Sequence, residues 1–254
     1  MLARAPGGRS TIGFGKIPML LCDFHIHTTY SDGIMPLPKV VDIFGQSGHD
    51  VIAITDHIVN HDSGLGKIAH RIRHSLNAET FPRYADEIAR EAERAWHAYR
   101  MVVIPGAEMT RNTINRHTSV HALALGLDEF ASADGDPLEM LRELKSRGAV
   151  TVACHPHEMS EWFANTWYLW NRRKQVGNLV DLWEVGCRWE LFPVISRESL
   201  PHIANSDFHR PEHLYAWKTL LNAEKTRESV LEALRRGTGI GVLRLTPAET
   251  AASA

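Results

Sequence analysis

The chain has 254 residues, of which 44% are hydrophobic and 23% are charged, and its formal net charge is −2. This composition is typical of a globular protein and excludes a collagen-like or disordered chain. No apolar run approaches the roughly 20 residues that span a bilayer, and the small net charge disfavours binding to nucleic acid through phosphate contacts alone. The apolar stretch near the N-terminus contains Pro18 and lacks a cleavage site, so we expect a cytoplasmic protein with no membrane association.

Short apolar segments rich in β-branched residues alternate along the chain with segments of helical spacing, which predicts βαβ units. The predicted strands are Met19–Ile26, Val51–Thr55, Met101–Ile104, Val120–Leu125, Val150–Cys154, Leu179–Val185 and Ile203–Ala204. The predicted helices are Leu37–Phe44, Ala85–Tyr99, Pro137–Arg147, Arg197–Leu200 and Arg227–Arg236. Runs this apolar suit strands buried on both faces, and their number favours a barrel over a doubly wound sheet.

Two long segments, residues 58–100 and 159–190, interrupt the alternation and are predicted to be insertions. The second contains five of the seven tryptophans. A packed aromatic lid is the favoured interpretation, and stacking on a nucleobase is the alternative. Residues 1–16 are predicted to be a frayed tail, and residues 17–254 a single domain, because no repeat or linker divides them. The sequence does not indicate an oligomeric state.

The first predicted strand ends in a run that alternates polar and apolar residues. Asp23, His25 and His27 share one face of this strand, and Phe24 and Ile26 share the other. Two imidazoles two residues apart can bind one metal, and a carboxylate on the same face can orient them. The alternative is a pair of histidines that face solvent on an edge strand.

Similar residue types lie at or near the ends of five further predicted strands. In α/β barrels the active site is built where the strands end, from residues of several strands. Buried carboxylates and imidazoles cost free energy unless something compensates them, and a site for two or three metals is the simplest compensation. The residues are Asp56, His57, Glu108, His121, His155, Asp207 and His209.

As a set, these motifs resemble the PHP superfamily, the polymerase and histidinol phosphatase domains. The matching stretches run in the family's order from residue 23 to residue 209. The resemblance implies a distorted (β/α)7 TIM-like barrel, in agreement with the predicted strands, and metal-dependent hydrolysis of phosphate esters. The stretches are Asp23-Phe24-His25-Ile26-His27-Thr28 with Ser31-Asp32-Gly33, Thr55-Asp56-His57, Pro105-Gly106-Ala107-Glu108, His121, His155-Pro156 and Asn205-Ser206-Asp207-Phe208-His209.

The resemblance also implies which residues hold three adjacent metals. The first metal would take His25, His27, Glu108 and Asp207, and the second would take Glu108, His121 and His155. The third would take Asp32, His57 and His209, although some members of the family have a histidine near the position of Asp32. Glu108, Asp207 and His209 would also serve catalysis. Imidazole and carboxylate ligands without a thiolate fit zinc, manganese or iron.

Other polar residues are predicted to support the ligands or to contact substrate. Asp23 and Asp56 would orient ligand histidines, as would Glu184, for which a hydrogen-bonded barrel carboxylate is an equal alternative. Arginine suits bidentate contact with phosphate. The candidates for substrate contact, each with a solvated surface position as the alternative, are Arg111, Arg116, His117 and Arg172.

The leading functional hypothesis is an enzyme that hydrolyses a small phosphomonoester, such as a nucleotide or histidinol phosphate. A water that bridges two metals would lose a proton near neutral pH and attack the phosphorus as hydroxide. One alternative is a 3′–5′ exonuclease or other nucleic-acid phosphodiesterase, which the small net charge disfavours. Another is a non-catalytic scaffold that has lost its metals, which the complete ligand set disfavours.

Overall fold

The computed structural model describes residues 19–62, 75–113, 115–156 and 166–246. In this part of the chain, eleven strands form one strongly curled, mixed sheet. The strands are β1 (Leu20–Asp23), β2 (Val51–Ile54), β3 (His57–Val59), β4 (Val102–Arg111), β5 (Val120–Leu125), β6 (Val150–Ala153), β7 (Leu182–Cys187), β8 (Glu190–Leu191), β9 (His202–Asn205), β10 (Trp217–Leu221) and β11 (Ile240–Arg244). The helices are α1 (Leu37–Gln46), α2 (Phe81–Tyr99), α3 (Pro137–Ser146), α4 (Trp167–Asn171), α5 (Pro193–Arg197) and α6 (Arg227–Arg236), with 3₁₀ turns at Arg116–Thr118 and Pro211–Leu214. The predicted α/β fold is confirmed, as a strongly curled half-barrel.

The order of the strands brings the first and the last of the predicted ligand motifs, at residues 23–27 and 205–209, next to each other. The sheet runs β11-β10-β1-β2-β4-β5-β6-β7-β8, with β3 beside β4 and β9 beside β7. Beyond the strands, Ile26 and Phe208 form a parallel bridge. His27 N donates to Phe208 O at 2.8 Å, and Phe208 N donates to His25 O at 3.0 Å. The segment after β1 therefore lies against the segment after β9, although they are far apart in sequence.

Alternate residues of the strands pack into two apolar clusters, one on each face of the sheet. Val51 and Ala53 belong to one cluster, which α6 covers. Ile52 and Ile54 belong to the other, which α1 and α2 cover. This burial on both faces explains why the strands read as continuous apolar runs rather than as an alternating pattern. Each fully buried aliphatic side chain contributes roughly 1.5–3 kcal/mol to stability.

The ends of the helices follow local capping chemistry. The Asp136 carboxylate accepts hydrogen bonds from the amides of Leu138 and Glu139 at the start of α3. Gly237 ends α6 in a left-handed conformation with φ 62°. The helix predicted at residues 197–200 was wrong. The helix there ends at Arg197, and Ser199 has a φ of 55°, which no α-helix continues.

Several elements were not predicted, namely β3, α4, β8 and the antiparallel pair β10 and β11. The predicted tail at residues 1–16 and parts of both predicted insertions, residues 63–74 and 159–165, lie outside the described residues. The single-domain organisation of residues 17–254 stays a prediction. Among the helices described, none is both long enough and apolar enough to cross a membrane.

Candidate metal centre

The candidate ligands form one cluster at an edge of the sheet where β1, β2, β6 and β9 end, β3 and β5 begin, and β4 passes. His25 and His27 follow β1, are fully buried, and have ring centroids 5.0 Å apart. The turn that follows brings Asp32 back towards them. Gly33 permits this turn, because an added Cβ would lie 2.5 Å from the carbonyl oxygen of His27.

Glu108, which is 1% exposed, lies at the centre of the cluster. Its Oε2 atom lies 3.3 Å from His25 Nε2, 3.3 Å from His27 Nε2 and 3.0 Å from His57 Nδ1. Its Oε1 atom lies 2.7 Å from His121 Nδ1 and 3.6 Å from His155 Nε2. The two oxygens of one carboxylate thus face two different groups of imidazoles.

Two further carboxylates complete the acidic part of the cluster. Asp207 Oδ1 lies 3.4 Å from His25 Nε2, 3.3 Å from His27 Nε2 and 3.3 Å from His209 Nδ1. Asp32 Oδ1 lies 3.0 Å from His209 Nε2. It also lies 3.3 Å from His57 Nε2.

These donor atoms form overlapping groups that could each hold a metal ion. The group His27, Asp32, His57 and His209 contains all the residues implied for the third metal. His121 belongs to none of these groups: its Nε2 lies 3.1 Å from Asn112 Oδ1 and its Nδ1 lies 2.7 Å from Glu108 Oε1, and its role as a ligand of the second metal stays a prediction. The other groups are His25 with Glu108 and His155, His25 with Cys154 and Glu184, and His25 with His27 and Asp207.

The buried imidazoles have nitrogen atoms that lack hydrogen-bond partners and that a bound metal would satisfy. Within the described residues, His25 Nε2 and His27 Nε2 are buried and form no hydrogen bond. Buried polar atoms of this kind are costly unless they are paired. A divalent cation among mixed imidazole and carboxylate donors would satisfy them, so the residues fit the predicted cofactor.

The charges of the cluster are strongly coupled. Burial would raise the pKa of Glu108, but the surrounding imidazoles, His57 and His121 foremost, hold it well below its usual value. Burial likewise opposes ionisation of Asp207, and His25 and His209 outweigh it, so that its pKa also lies well below normal. The carboxylates therefore stay ionised and require nearby cations.

The imidazoles respond in opposite directions. Burial lowers the pKa of His27 to about 3, and the neighbouring His209 and His57 add to this effect. For His57, the carboxylates of Glu108 and Asp32 outweigh burial and raise the pKa to about 10. A bound divalent metal would replace such protons, because imidazole binds metal only in its neutral form.

Glu184 contacts two candidate ligands. Its Oε1 atom accepts a hydrogen bond from His25 Nδ1 at 2.9 Å and another from Asn205 Nδ2 at 2.9 Å. Its Oε2 atom accepts from the amide of His155 at 2.7 Å. A carboxylate can only accept, so His25 carries its proton on Nδ1 and directs the Nε2 lone pair into the cluster.

Asp23 and Asp56 do not contact a ligand imidazole directly. Asp23 accepts from the amide of Ser206 at 3.2 Å and lies 3.0 Å from Lys218 Nζ. Asp56 accepts from the amide and hydroxyl of Thr28, both at 2.8 Å, and from Ser31 Oγ at 2.5 Å. Both carboxylates hold the backbone that carries the ligands, rather than an imidazole ring.

The residues predicted to contact substrate have their side-chain partners outside the set of candidate ligands. Arg111 forms an ion pair with Asp62 at 2.9 Å, and Arg172 lies over the ring of Tyr168 at 4.0 Å from its centroid. His117 is exposed and packs edge-on against Trp167 at 5.1 Å. The side chain of Arg116 lies outside the described residues. None of these contacts involves a candidate ligand.

Sequence reasoning missed Arg188, which follows β7 and lies beside the cluster. Its guanidinium lies 2.8 Å from Asp207 Oδ2, so the other oxygen of Asp207 faces the imidazoles. His155, Arg188 and Asp207 have positive φ values of 27°, 50° and 48°. Left-handed backbone at residues other than glycine costs roughly 1–3 kcal/mol each and is concentrated at functional sites. The sequence carries no signal for this placement, because the contact depends on how β7 and β9 pair.

Comparison with solved structures identifies the fold. A two-domain protein from Bacteroides vulgatus, described as containing a predicted PHP-like metal-dependent phosphoesterase, matches with a TM-score of 0.63 and 23% identity over 95% of this chain and 70% of its own. This chain has a PHP-like fold. At this level of identity the match establishes the fold alone, and the activity has to be argued from the site.

Two more distant structures also resemble the chain. A candidate metal-dependent phosphoesterase from Bifidobacterium adolescentis has a TM-score of 0.47 and 15% identity over 75% of this chain and 88% of its own. An amidohydrolase from Chromobacterium violaceum, with bound sulfate and no metal, has a TM-score of 0.48 and 14% identity over 90% of this chain and 99% of its own. No protein-family model and no curated protein matches the chain. The PHP-like assignment therefore rests on the Bacteroides structure.

Proposed function

We propose that this protein is a metal-dependent phosphoesterase that hydrolyses small phosphomonoesters. The observation that carries the proposal is the position of Glu108, because the two oxygens of its carboxylate face two different groups of buried imidazoles. Zinc, manganese or iron bound there would polarise the phosphate oxygens and lower the pKa of a coordinated water. The Bacteroides protein is described as containing a predicted metal-dependent phosphoesterase, which supports the proposal.

The chain's own residues would prepare the site in three ways. Glu184 fixes the tautomer of His25, so that Nε2 is the donor atom. Arg188 contacts one oxygen of Asp207 and leaves the other for the cluster. The Glu108 carboxylate faces both groups of imidazoles, Oε2 towards His25 and Oε1 towards His121, so one negative charge serves both groups.

The exposure of the cluster favours a terminal phosphate over an internal one. His25 and His27 are fully buried, whereas the side chains of Asp32 and His209 are 21% and 17% exposed. Substrate therefore approaches from the side of Asp32 and His209. A terminal phosphate at the end of a small molecule reaches such a recessed position more readily than a phosphate flanked by nucleotides on both sides.

The test combines metal analysis with a substrate panel. The purified chain, loaded with zinc or manganese, is expected to retain at least two equivalents after desalting. It is then expected to hydrolyse p-nitrophenyl phosphate, mononucleotides or histidinol phosphate faster than single-stranded DNA, compared as kcat/KM at one salt concentration. Glu108→Gln is the inactive variant, and Glu143→Gln, on the exposed face of α3, is its matched control.

Two outcomes would contradict the proposal. Less than one equivalent of metal after loading would exclude the metal-dependent mechanism. Faster turnover of the oligonucleotide, with a steep loss on adding salt, would favour the nucleic-acid phosphodiesterase instead.

A further inference from the structure

Two exposed aromatic side chains share one pocket beside the candidate metal centre. Trp189 is 44% exposed and Tyr215 is 40% exposed. Both line a pocket of about 480 Å³, together with Pro211, Glu212 and Arg244. We call it the aromatic pocket. Large aromatic side chains normally bury most of their surface, so two exposed in one concave site call for a ligand.

The aromatic pocket opens at the same edge of the sheet as the metal centre. Trp189 lies in the turn after β7, and Pro211 begins the turn after β9. Because β10 runs antiparallel to β1, its first residue, Trp217, lies at the edge where β1 ends. Arg244 pairs with Trp217 at the end of β11 and therefore lies at this edge too. The pairing of the strands places all these residues at the edge of the sheet that carries the ligands.

A single imidazole separates the aromatic pocket from the cluster. Trp189 packs edge-on against His213, with ring centroids 5.3 Å apart and an interplanar angle of 88°. The His213 ring lies 6.1 Å from the ring of His209, and its Nδ1 lies 3.1 Å from the carbonyl oxygen of Asp207. The His213 ring therefore connects the two sites, because it contacts Trp189 on one side and lies near His209 and Asp207 on the other.

The chemistry of the lining selects a flat, aromatic group. Indole and phenol rings bind planar rings by stacking, and the exposed guanidinium of Arg244 adds a donor and a cation that also stacks on such rings. A phosphate ester without an aromatic ring, such as ribose 5-phosphate, cannot stack ring on ring against these surfaces.

We propose that the aromatic pocket binds the base of a nucleoside monophosphate whose phosphate lies at the metal centre. This inference rests on the proposed phosphoesterase function and specifies its substrate class. It also gives the tryptophans of residues 159–190 two different roles. Trp170 and Trp183 are buried, with ring centroids 6.0 Å apart, as the packed interpretation of this segment predicts, whereas Trp189 is exposed and can stack on a base.

The first test compares substrates with and without a base. The ratio of kcat/KM for adenosine 5′-monophosphate to that for ribose 5-phosphate is expected to be about 5- to 150-fold in the unmodified chain, since stacking on a base is worth this factor. Trp189→Leu and, separately, Tyr215→Leu are expected to bring the ratio towards 1. Trp96→Leu is the matched control, because Trp96 is 40% exposed on α2 and lines a different groove.

The second test does not depend on hydrolysis. Saturation-transfer NMR of adenosine with the full chain is expected to show contact with the base protons, which both pocket variants abolish and the Trp96→Leu control preserves. Binding lost in the variants would support the aromatic pocket even if no phosphomonoester were hydrolysed, and the failure would then belong to the proposed activity.

Other results would overturn the inference. Hydrolysis of ribose 5-phosphate as fast as the mononucleotide, with no binding of adenosine, would show that the pocket does not recognise a base. If Trp189→Leu and Tyr215→Leu instead turned a dimer into a monomer in light scattering and left the substrate ratio unchanged, the pocket would be an interface between two copies of the chain.

Discussion

The buried ion pair between Lys218 and Asp23 gives the sharpest test of how the metal centre is held. Lys218 lies on β10, and both side chains are 0% exposed, with Nζ 3.0 Å from Asp23 Oδ2. Asp23 Oδ1 accepts from the amides of His25 at 3.4 Å and Ser206 at 3.2 Å. The pair therefore joins the two segments that carry the ligands.

Lys218→Met removes one charge of this pair and keeps most of the volume of the side chain. Removing one partner of a buried pair leaves the other charge uncompensated, at a cost of about 3–5 kcal/mol in the free energy of unfolding. For a chain of this length, each kcal/mol corresponds to roughly 2–4 °C in Tm. We thus expect Tm to fall by about 6–20 °C, which combines these two ranges.

The assay is thermal and urea-induced unfolding of the unmodified chain and its variants. Lys225→Met is the matched control, because Lys225 pairs with Asp50 where both side chains are partly exposed, 31% and 26%, and such pairs contribute about 0–1 kcal/mol. The double variant Asp23→Asn with Lys218→Met should recover part of the loss, because it removes both charges. If Lys218→Met costs no more than Lys225→Met, the two charges are not buried together and the reasoning fails.

Three further predictions concern the cluster and the pH dependence of stability. Glu108→Gln is expected to remove at least one equivalent of bound metal, measured by elemental analysis, because both groups of imidazoles share this carboxylate; unchanged metal content would refute the shared role. Glu184→Gln should weaken metal affinity by about 10- to 100-fold, measured by competition with a chelator, because loss of the partner of His25 Nδ1 frees its tautomer; an unchanged affinity would mean that Glu184 serves only the fold. His49 is 2% exposed, and burial lowers its pKa from 6.5 to about 3, with Lys218 adding to the effect. As pH falls, His49 therefore takes up a proton in the unfolded state before it does so in the folded state. The free energy of unfolding falls as pH drops from 6.5 towards 3, by about 2 kcal/mol at pH 5. His49→Leu should reduce the loss of stability between pH 7 and pH 5 by this amount in urea unfolding, and an unchanged dependence of stability on pH would contradict the prediction.

Much of the fold and of the candidate site follows from local patterns. The strand period of two places His25 and His27 on one face, whatever lies around them. Strands buried on both faces have continuous apolar runs, which marked β2, β5 and β6 closely, although β5 turned out to be antiparallel to both of its neighbours. Because polar residues follow such runs at one edge of the sheet, the sequence also indicated that Glu108 and Asp207 would converge.

The tertiary structure alone decided which groups support the ligands. The sequence suggested that Asp23 would orient an imidazole, but the Asp23 carboxylate pairs with Lys218. Lys218 lies on β10, a strand that the sequence pattern did not predict. Arg188 and the aromatic pocket have no local signal either, because their position depends on how β7, β9 and β10 pair. Contacts between residues far apart in the chain are set by the register and curl of the sheet, to which a local pattern is blind. The sequence therefore determines which metal-binding residue types follow the strands. The tertiary structure decides which residues hold these ligands in place and which pocket lies beside them.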